Sequence, residues 1–312
     1  MPTYLDLLGI VAPVFVLLGA GWLLRRVGWL EASADASMLR LGVYVLYPCL
    51  IADTILGNPA LANLRNIGLP AVVGGGTVLL GFAVGALAAW LLRLGKPHPA
   101  RTFAFTTGLF NYGFIPIPLV QALFDRATMG VLFTYTLGVE FLLWSVGIAL
   151  LSGRSGAAGW RAALNAPVLS IIISLAMNFI GAPLPAFLRT AMHNLGDCAF
   201  PVQLILTGAS LADVLRRGWQ SGLGRNVVAA CVVRLIALPL LMLAVAWLTP
   251  SVELRRVGVL QAAMPCAMLP VILAHHYDAD VGLAGWAVIT TTAIGLFTIP
   301  LWLRLGFWMI SI

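Results

Sequence analysis

NYGFIPIPLVQALF, residues 111–124, is the stretch that decides how this chain is read. Its flanks are apolar enough for a bilayer, yet Asn111, Gly113, Pro116 and Pro118 fall within eight positions. Prolines so close together remove backbone donors and clash with the preceding turn, so no continuous helix is expected there. Broken backbone at membrane depth persists only where protein buries it or where it lines a cavity. A second stretch of this kind, QAAMPCAMLPVILAHHYDAD, occupies residues 261–280 and carries Pro265 and Pro270. Interrupted hydrophobic segments at corresponding places in the two halves of a chain point to a transporter's binding site.

Of the 312 residues, 61% are hydrophobic and 9% charged, against about a quarter charged in soluble proteins. The chain is therefore expected to be a polytopic membrane protein. Its net charge of +7 is not a nucleic-acid signal, because the arginines sit in short loops between apolar spans, without interleaved aromatics. Cys49, Cys198, Cys231 and Cys266 lie inside apolar segments with no CxxC spacing, so reduced, buried thiols are expected, with no metal and no cofactor. The N-terminus has neither a basic n-region nor a small-residue cleavage site, so the first span is expected to be retained.

Windows of about 20 apolar residues give ten spans, near 5–24, 36–56, 67–92, 101–124, 129–151, 164–181, 190–212, 224–248, 256–276 and 281–303. The fourth and ninth are the interrupted ones. Connections are short, so residues 1–312 read as one integral membrane domain, with five-span copies at 1–152 and 160–312. Alternate loops hold Arg25, Arg26, Arg40, Arg93, Lys96, Arg101, Arg154, Arg161, Arg216, Arg217 and Arg225. The others hold only Arg65, Arg126, Arg189, Arg255, Arg256 and Arg304. The richer set is expected to face the cytoplasm, leaving both termini on the non-cytoplasmic side. The two copies share features: Gly42 and Pro48 in the second span against Gly196 and Pro201 in the seventh, and Pro118 against Pro270. An odd number of spans per copy makes the repeat inverted.

NYGFIPIPL (111–119), LQAAMPCAMLPVILA (260–274), IGLFTIPL (294–301) and VLYPCLI (45–51) resemble the auxin efflux carrier family, which includes plant auxin exporters and bacterial permeases assigned to malonate. The resemblance covers nearly the whole length. It implies an all-α fold of ten transmembrane helices in a 5+5 inverted repeat, similar to bile acid–sodium symporters, whose fourth and ninth helices cross at Pro118 and Pro270. It implies transport of small carboxylates such as malonate by an elevator-type motion, and a place in a bacterial inner membrane. Partners implied are a small organic anion, a coupling H+ or Na+, the lipid bilayer and a second copy in a homodimer, with no nucleic acid. The chain departs from the family in its short 152–163 connection and in Phe114 and Pro116, where small residues are common.

At a break, the half-helix that begins offers unpaired N–H groups and a positive dipole end, which suit an anion. The half-helix that ends offers carbonyls, which suit a cation. Asn111, Gly113, Pro118, Pro265 and Pro270 are accordingly expected to shape a carboxylate site, joined by Gln121, Glu140, Gln261 and Cys266; His275 lies one turn past Pro270, near the end of its span. Glu140 lies in the middle of the fifth span, where a carboxylate costs ~2.5 kcal/mol or more. The family often carries an amide there, so the titratable group implies proton coupling. Asp197 matches an acidic family position, is a second coupling candidate, and is expected to pair with Arg234. Asp53 is expected near the interface. Glycines 74, 75, 76, 81 and 85 suit close helix packing, and Trp22, Trp29, Trp247 and Trp302 read as interfacial anchors. A sodium-coupled symporter and a sensor that binds without transport are the alternatives. An intramembrane enzyme is disfavoured, since the four histidines form no HExxH and no GxSxG is present.

Overall fold

The computed structural model describes residues 2–95, 98–153, 163–181, 184–216, 218 and 223–310. Lys96, Arg154, Arg161 and Arg217 of the charge count, and most of the 152–163 connection, lie outside the described residues. Helices account for nearly all of what is described. They are α1 Tyr4–Arg26, α2 Ala32–Ile55, α3 Arg65–Leu91, α4 His98–Gly108, α5 Pro116–Leu123 and α6 Arg126–Ser152. The second half holds α7 Ala166–Phe179, α8 Ala186–Arg216, α9 Gly224–Leu248, α10 Val252–Ala262, α11 Leu269–His276 and α12 Val281–Met309. Seven of these, α1, α2, α3, α6, α8, α9 and α12, are long and apolar enough to cross a membrane. Large apolar side chains such as Val72, Trp90, Phe141, Leu240 and Phe297 point outward, as lipid-facing surfaces require.

Helix ends are fixed by side chains the apolar windows cannot register. Asp125 caps α6 through the Thr128 amide, so that helix begins earlier than hydropathy indicates. Thr3 and Asp6 cap α1 reciprocally, Asn165 caps α7 and Asp280 caps α12. Burial raises the Asp125 carboxyl, but the Thr128 amide and hydroxyl and Arg256 at 3.1 Å outweigh it and hold it below the usual carboxylate range. Its stabilisation is therefore complete above the unfolded value of about 3.9 and is lost as pH falls through the lower folded value. The group is more than half exposed, so Asp125→Ala is expected to cost only about 1 kcal/mol. Thermal unfolding should show that loss at pH 7 and a smaller one below pH ~3.

Lipid supplies no hydrophobic drive between helices, so close backbone approach must bring them together. A side chain at Gly74 or Gly138 would overlap the Tyr135 or Ala71 carbonyl across the α3–α6 seam, and Gly81 and Gly85 sit on Gly108 and Ala104 of α4. Gly21 and Gly208 do the same between α1 and α8. Gly76, by contrast, has open space beside it and is not a packing glycine.

Among the described residues three π-turns interrupt the long helices, at Gly42–Leu46, Leu143–Gly147 and Val233–Ala237. Trp302 is not an interfacial anchor: it is buried and its indole N–H donates to the Leu235 carbonyl inside the third π-turn, at 2.8 Å. Trp29 and Trp247 do face outward. Of the cysteines only Cys266 is fully buried, while Cys198 is exposed at the junction within α8.

Candidate functional site

Both interrupted stretches are broken helices, and their breaks meet. α4 stops at Gly108, where a Cβ would run into Gly81 and Phe82 of α3. The chain then runs on without helix until α5 begins at Pro116. α10 stops at Ala262 and α11 begins at Leu269. Phe110 and Cys266 stand opposite each other as an antiparallel bridge. The Asn111 N–H donates to the Pro265 carbonyl at 2.8 Å, and the Ala267 N–H to the Leu109 carbonyl at 3.0 Å. Each break thus satisfies part of the other's backbone, which explains how irregular chain survives at this depth.

The crossing point is not at Pro118 and Pro270. Those residues lie in the first turns of α5 and α11, where a missing N–H would be unpaired in any case and the fixed φ favours a helix start. The prolines launch the second half-helices, and the crossing falls several residues earlier, at Leu109–Asn111 against Pro265–Ala267.

Around the break the polar groups converge. The Asn111 side-chain oxygen accepts from the Ile115 N–H at 3.3 Å, and the Gly113 carbonyl accepts from Ile117. The Tyr112, Gly113 and Phe114 amides donate to no acceptor among the described residues. Gln261 is fully buried, donates to the Tyr112 carbonyl at 3.2 Å and leaves its own Oε1 without a partner among the described residues. Cys266 is held through its N–H on Thr291 Oγ1 at 3.3 Å. From α2, the buried Tyr47 hydroxyl has no partner among the described residues and lies 4.0 Å from where a Cβ on Gly113 would be.

Glu140 on α6 is tied to the same break. Its Oε1 accepts from the Tyr112 hydroxyl at 2.8 Å, and its Oε2 from Trp144 Nε1 at 2.7 Å and Asn165 Nδ2 at 2.9 Å. Three donors surround it, and among the described residues no cation lies within ion-pair distance. A proton on Oε1 would reverse the Tyr112 contact, the carboxyl then donating to the phenol oxygen while Oε2 still accepts from Trp144 and Asn165. Asn165 also caps α7, so Glu140 joins α6, the first break and the start of α7.

The expected Asp197–Arg234 pair does not form. Asp197 is exposed and lies 3.5 Å from His193 Nε2, while His193 Nδ1 is 3.1 Å from Asp53. Arg234 is fully buried elsewhere, under the Phe110 ring. Charge complementarity between adjacent spans suggested the pair, but the two residues sit on different sides of the molecule's packing: Asp197 outward, Arg234 inward. Gln121 and His275 are exposed, and their side chains make no hydrogen bond among the described residues. Tyr47, Tyr112, Trp144, Asn165 and Arg234 belong to the site or its surroundings without having been singled out for it. Asn165, directly before an Ala-Pro helix start, carried a usable capping signal. A 340 Å3 hollow between Leu91–Gly95 and Arg225–Asn226 has no residue of the break in its lining.

Mostly apolar helices, two of them broken and paired at their breaks, define a multi-pass membrane protein of the transport class. A family described as membrane transport protein matches residues 7–159 and 155–303, and the chain belongs to that family, the auxin efflux carriers. An uncharacterized transporter of Methanothermobacter thermautotrophicus is 27% identical over 303 residues, covering 94% of this chain and 96% of its own. A second uncharacterized transporter, of Methanocaldococcus jannaschii, is 24% identical over 307 residues, with the same shares.

Proposed function

We propose that this chain is a secondary carrier of small carboxylates, with malonate or a related dicarboxylate as its substrate class. The observation that carries the reading is the pair of breaks hydrogen-bonded to each other, with the Tyr112–Phe114 amides ahead of α5 left without acceptors among the described residues. N–H groups and two positive helix ends suit a carboxylate at that point. The site comprises Asn111, Gly113, Pro118, Gln121, Gln261, Pro265, Cys266 and Pro270, with Tyr47 added from α2. Glu140 is the proton-coupling group, and Asp197, through His193, the second candidate.

In this reading α4–α5 and α10–α11 each complete one crossing and α7 another, giving ten passes in a 5+5 inverted repeat. Reciprocal contacts support it: Gly42 of α2 seats the Gln203 side chain of α8, and Gly196 of α8 seats Leu50 of α2. Asp125 and Asp280 cap corresponding helices, α6 and α12. Movement of the helices bearing the breaks against the remainder would give an elevator cycle. The chain would sit in a bacterial inner membrane with both termini outside the cytoplasm, alone or as a homodimer.

Counterflow of labelled malonate into proteoliposomes, with a panel of organic acids as competitors, tests this. Saturable uptake stimulated by internal unlabelled acid is expected. Binding without any flux would make the chain a sensor instead. Tyr47→Phe breaks no hydrogen bond among the described residues, so it should leave folding intact and weaken apparent affinity about tenfold, the worth of one hydrogen bond to a charged group.

A further inference from the structure

Arg234 beside the first break has been given no task so far, and its surroundings are unusual. It lies within the π-turn of α9 and is fully buried. Its guanidinium stands 5.4 Å from the centre of the Phe110 ring, in the first break. Nη2 lies 3.4 Å from the carbonyl of Ala262, the last residue of α10, and 3.5 Å from Met242 Sδ. Nε and Nη1 are buried without partners among the described residues. Among the described residues no carboxylate is within ion-pair distance of it. A guanidinium does not shed its proton in proteins, and an unpaired buried charge is strongly unfavourable. Its compensation on one side is the carbonyl end of α10. On the other, no anion is supplied among the described residues.

The position gives this cation a meaning. A half-helix that ends inside a membrane leaves carbonyls that attract a cation, which in many carriers is a bound metal ion. At the end of α10 a cation is already present, covalently attached. The end of α4 has no counterpart: no Arg, Lys or His side chain bonds its final carbonyls among the described residues.

We propose that Arg234 is the resident cation of the second break. It holds the carbonyl end of α10 in place of a coupling metal ion, and its uncompensated charge, acting through the Phe110 edge of the crossing, selects an anionic substrate. It is a positioning residue that does not touch the substrate. The inference rests on the carboxylate-carrier reading above and deepens it, because it assigns the source of anion selectivity and makes sodium unnecessary.

The full chain in proteoliposomes tests it, using malonate as the probe, with sodium or choline as the only added cation, and with Arg234→Lys and Arg234→Met variants. Wild-type uptake is expected to be the same within about twofold in sodium and choline. Arg234→Lys should keep most of the affinity. Arg234→Met, of similar reach but uncharged, should bind malonate at least about tenfold more weakly. Wild-type uptake that requires sodium, or an Arg234→Met protein with wild-type affinity, overturns the proposal while leaving the carrier reading standing. If Arg234→Met does not fold, the sodium dependence of the wild type and the affinity of Arg234→Lys decide. Absence of any carboxylate uptake by the wild type removes the carrier reading, and this inference with it.

Discussion

Glu140→Ala is expected to abolish uptake, by at least about a hundredfold, whereas Glu140→Gln keeps uptake within about tenfold and flattens its pH profile. The difference follows from the three donors on this carboxylate. Alanine leaves the Tyr112 hydroxyl, the Trp144 indole and the Asn165 amide without acceptors. Each stranded donor costs about 1–3 kcal/mol, and two of them belong to the break and to the cap of α7. Glutamine can place its oxygen between Trp144 and Asn165 and turn its amide toward the Tyr112 oxygen. It preserves the contacts but carries no titratable proton. Uptake measured from pH 5 to 8 for the two variants checks this. A Glu140→Gln protein with the wild-type rate and the wild-type pH dependence would remove proton coupling from Glu140.

Gly138→Val is expected to prevent folding, and Gly76→Ala to leave it unchanged. A Cβ at position 138 would overlap the Ala71 carbonyl and crowd the Gly75 nitrogen, so α3 and α6 could not keep their separation. Backbone cannot retreat as a flexible side chain can, and overpacking of this kind costs ~3 kcal/mol or more. Gly76 is one residue from that seam on α3, yet nothing lies within 4 Å of its Cβ position. Fluorescence-detected size exclusion after mild detergent extraction separates the outcomes: an aggregate for the first variant, a sharp monodisperse peak for the second.

The breaks themselves were legible in the sequence, since paired prolines in apolar runs leave few alternatives. Where they cross was not. Pro118 and Pro270 look like the points of fracture, but proline is most comfortable in the first turn of a helix, so it marks the restart and not the crossing. Glu140 stood out by its depth, but its partners did not, because Tyr112 and Trp144 read as apolar bulk until their polar tips are placed. Arg234 was visible as a charge in a span and was assigned the wrong partner. Reading along the chain supplied a carboxylate, Asp197, where the fold supplies a helix end and an aromatic face. The π-turns leave no compositional trace, which is why Trp302 read as an anchor when it serves a carbonyl inside one of them.

The meeting of the two breaks is the claim on which the rest stands, and one cross-link tests it directly. Phe110 and Cys266 are a directly opposed pair flanked by the two inter-break hydrogen bonds, a geometry that brings opposed Cα atoms to about 4.5 Å, within disulfide range. In a background with Cys49, Cys198 and Cys231 replaced by serine, Phe110→Cys should form a disulfide with Cys266 under mild oxidation in membranes, detected by mass spectrometry of the joined peptides. A folded protein in which both thiols stay free and react separately with maleimide would contradict it.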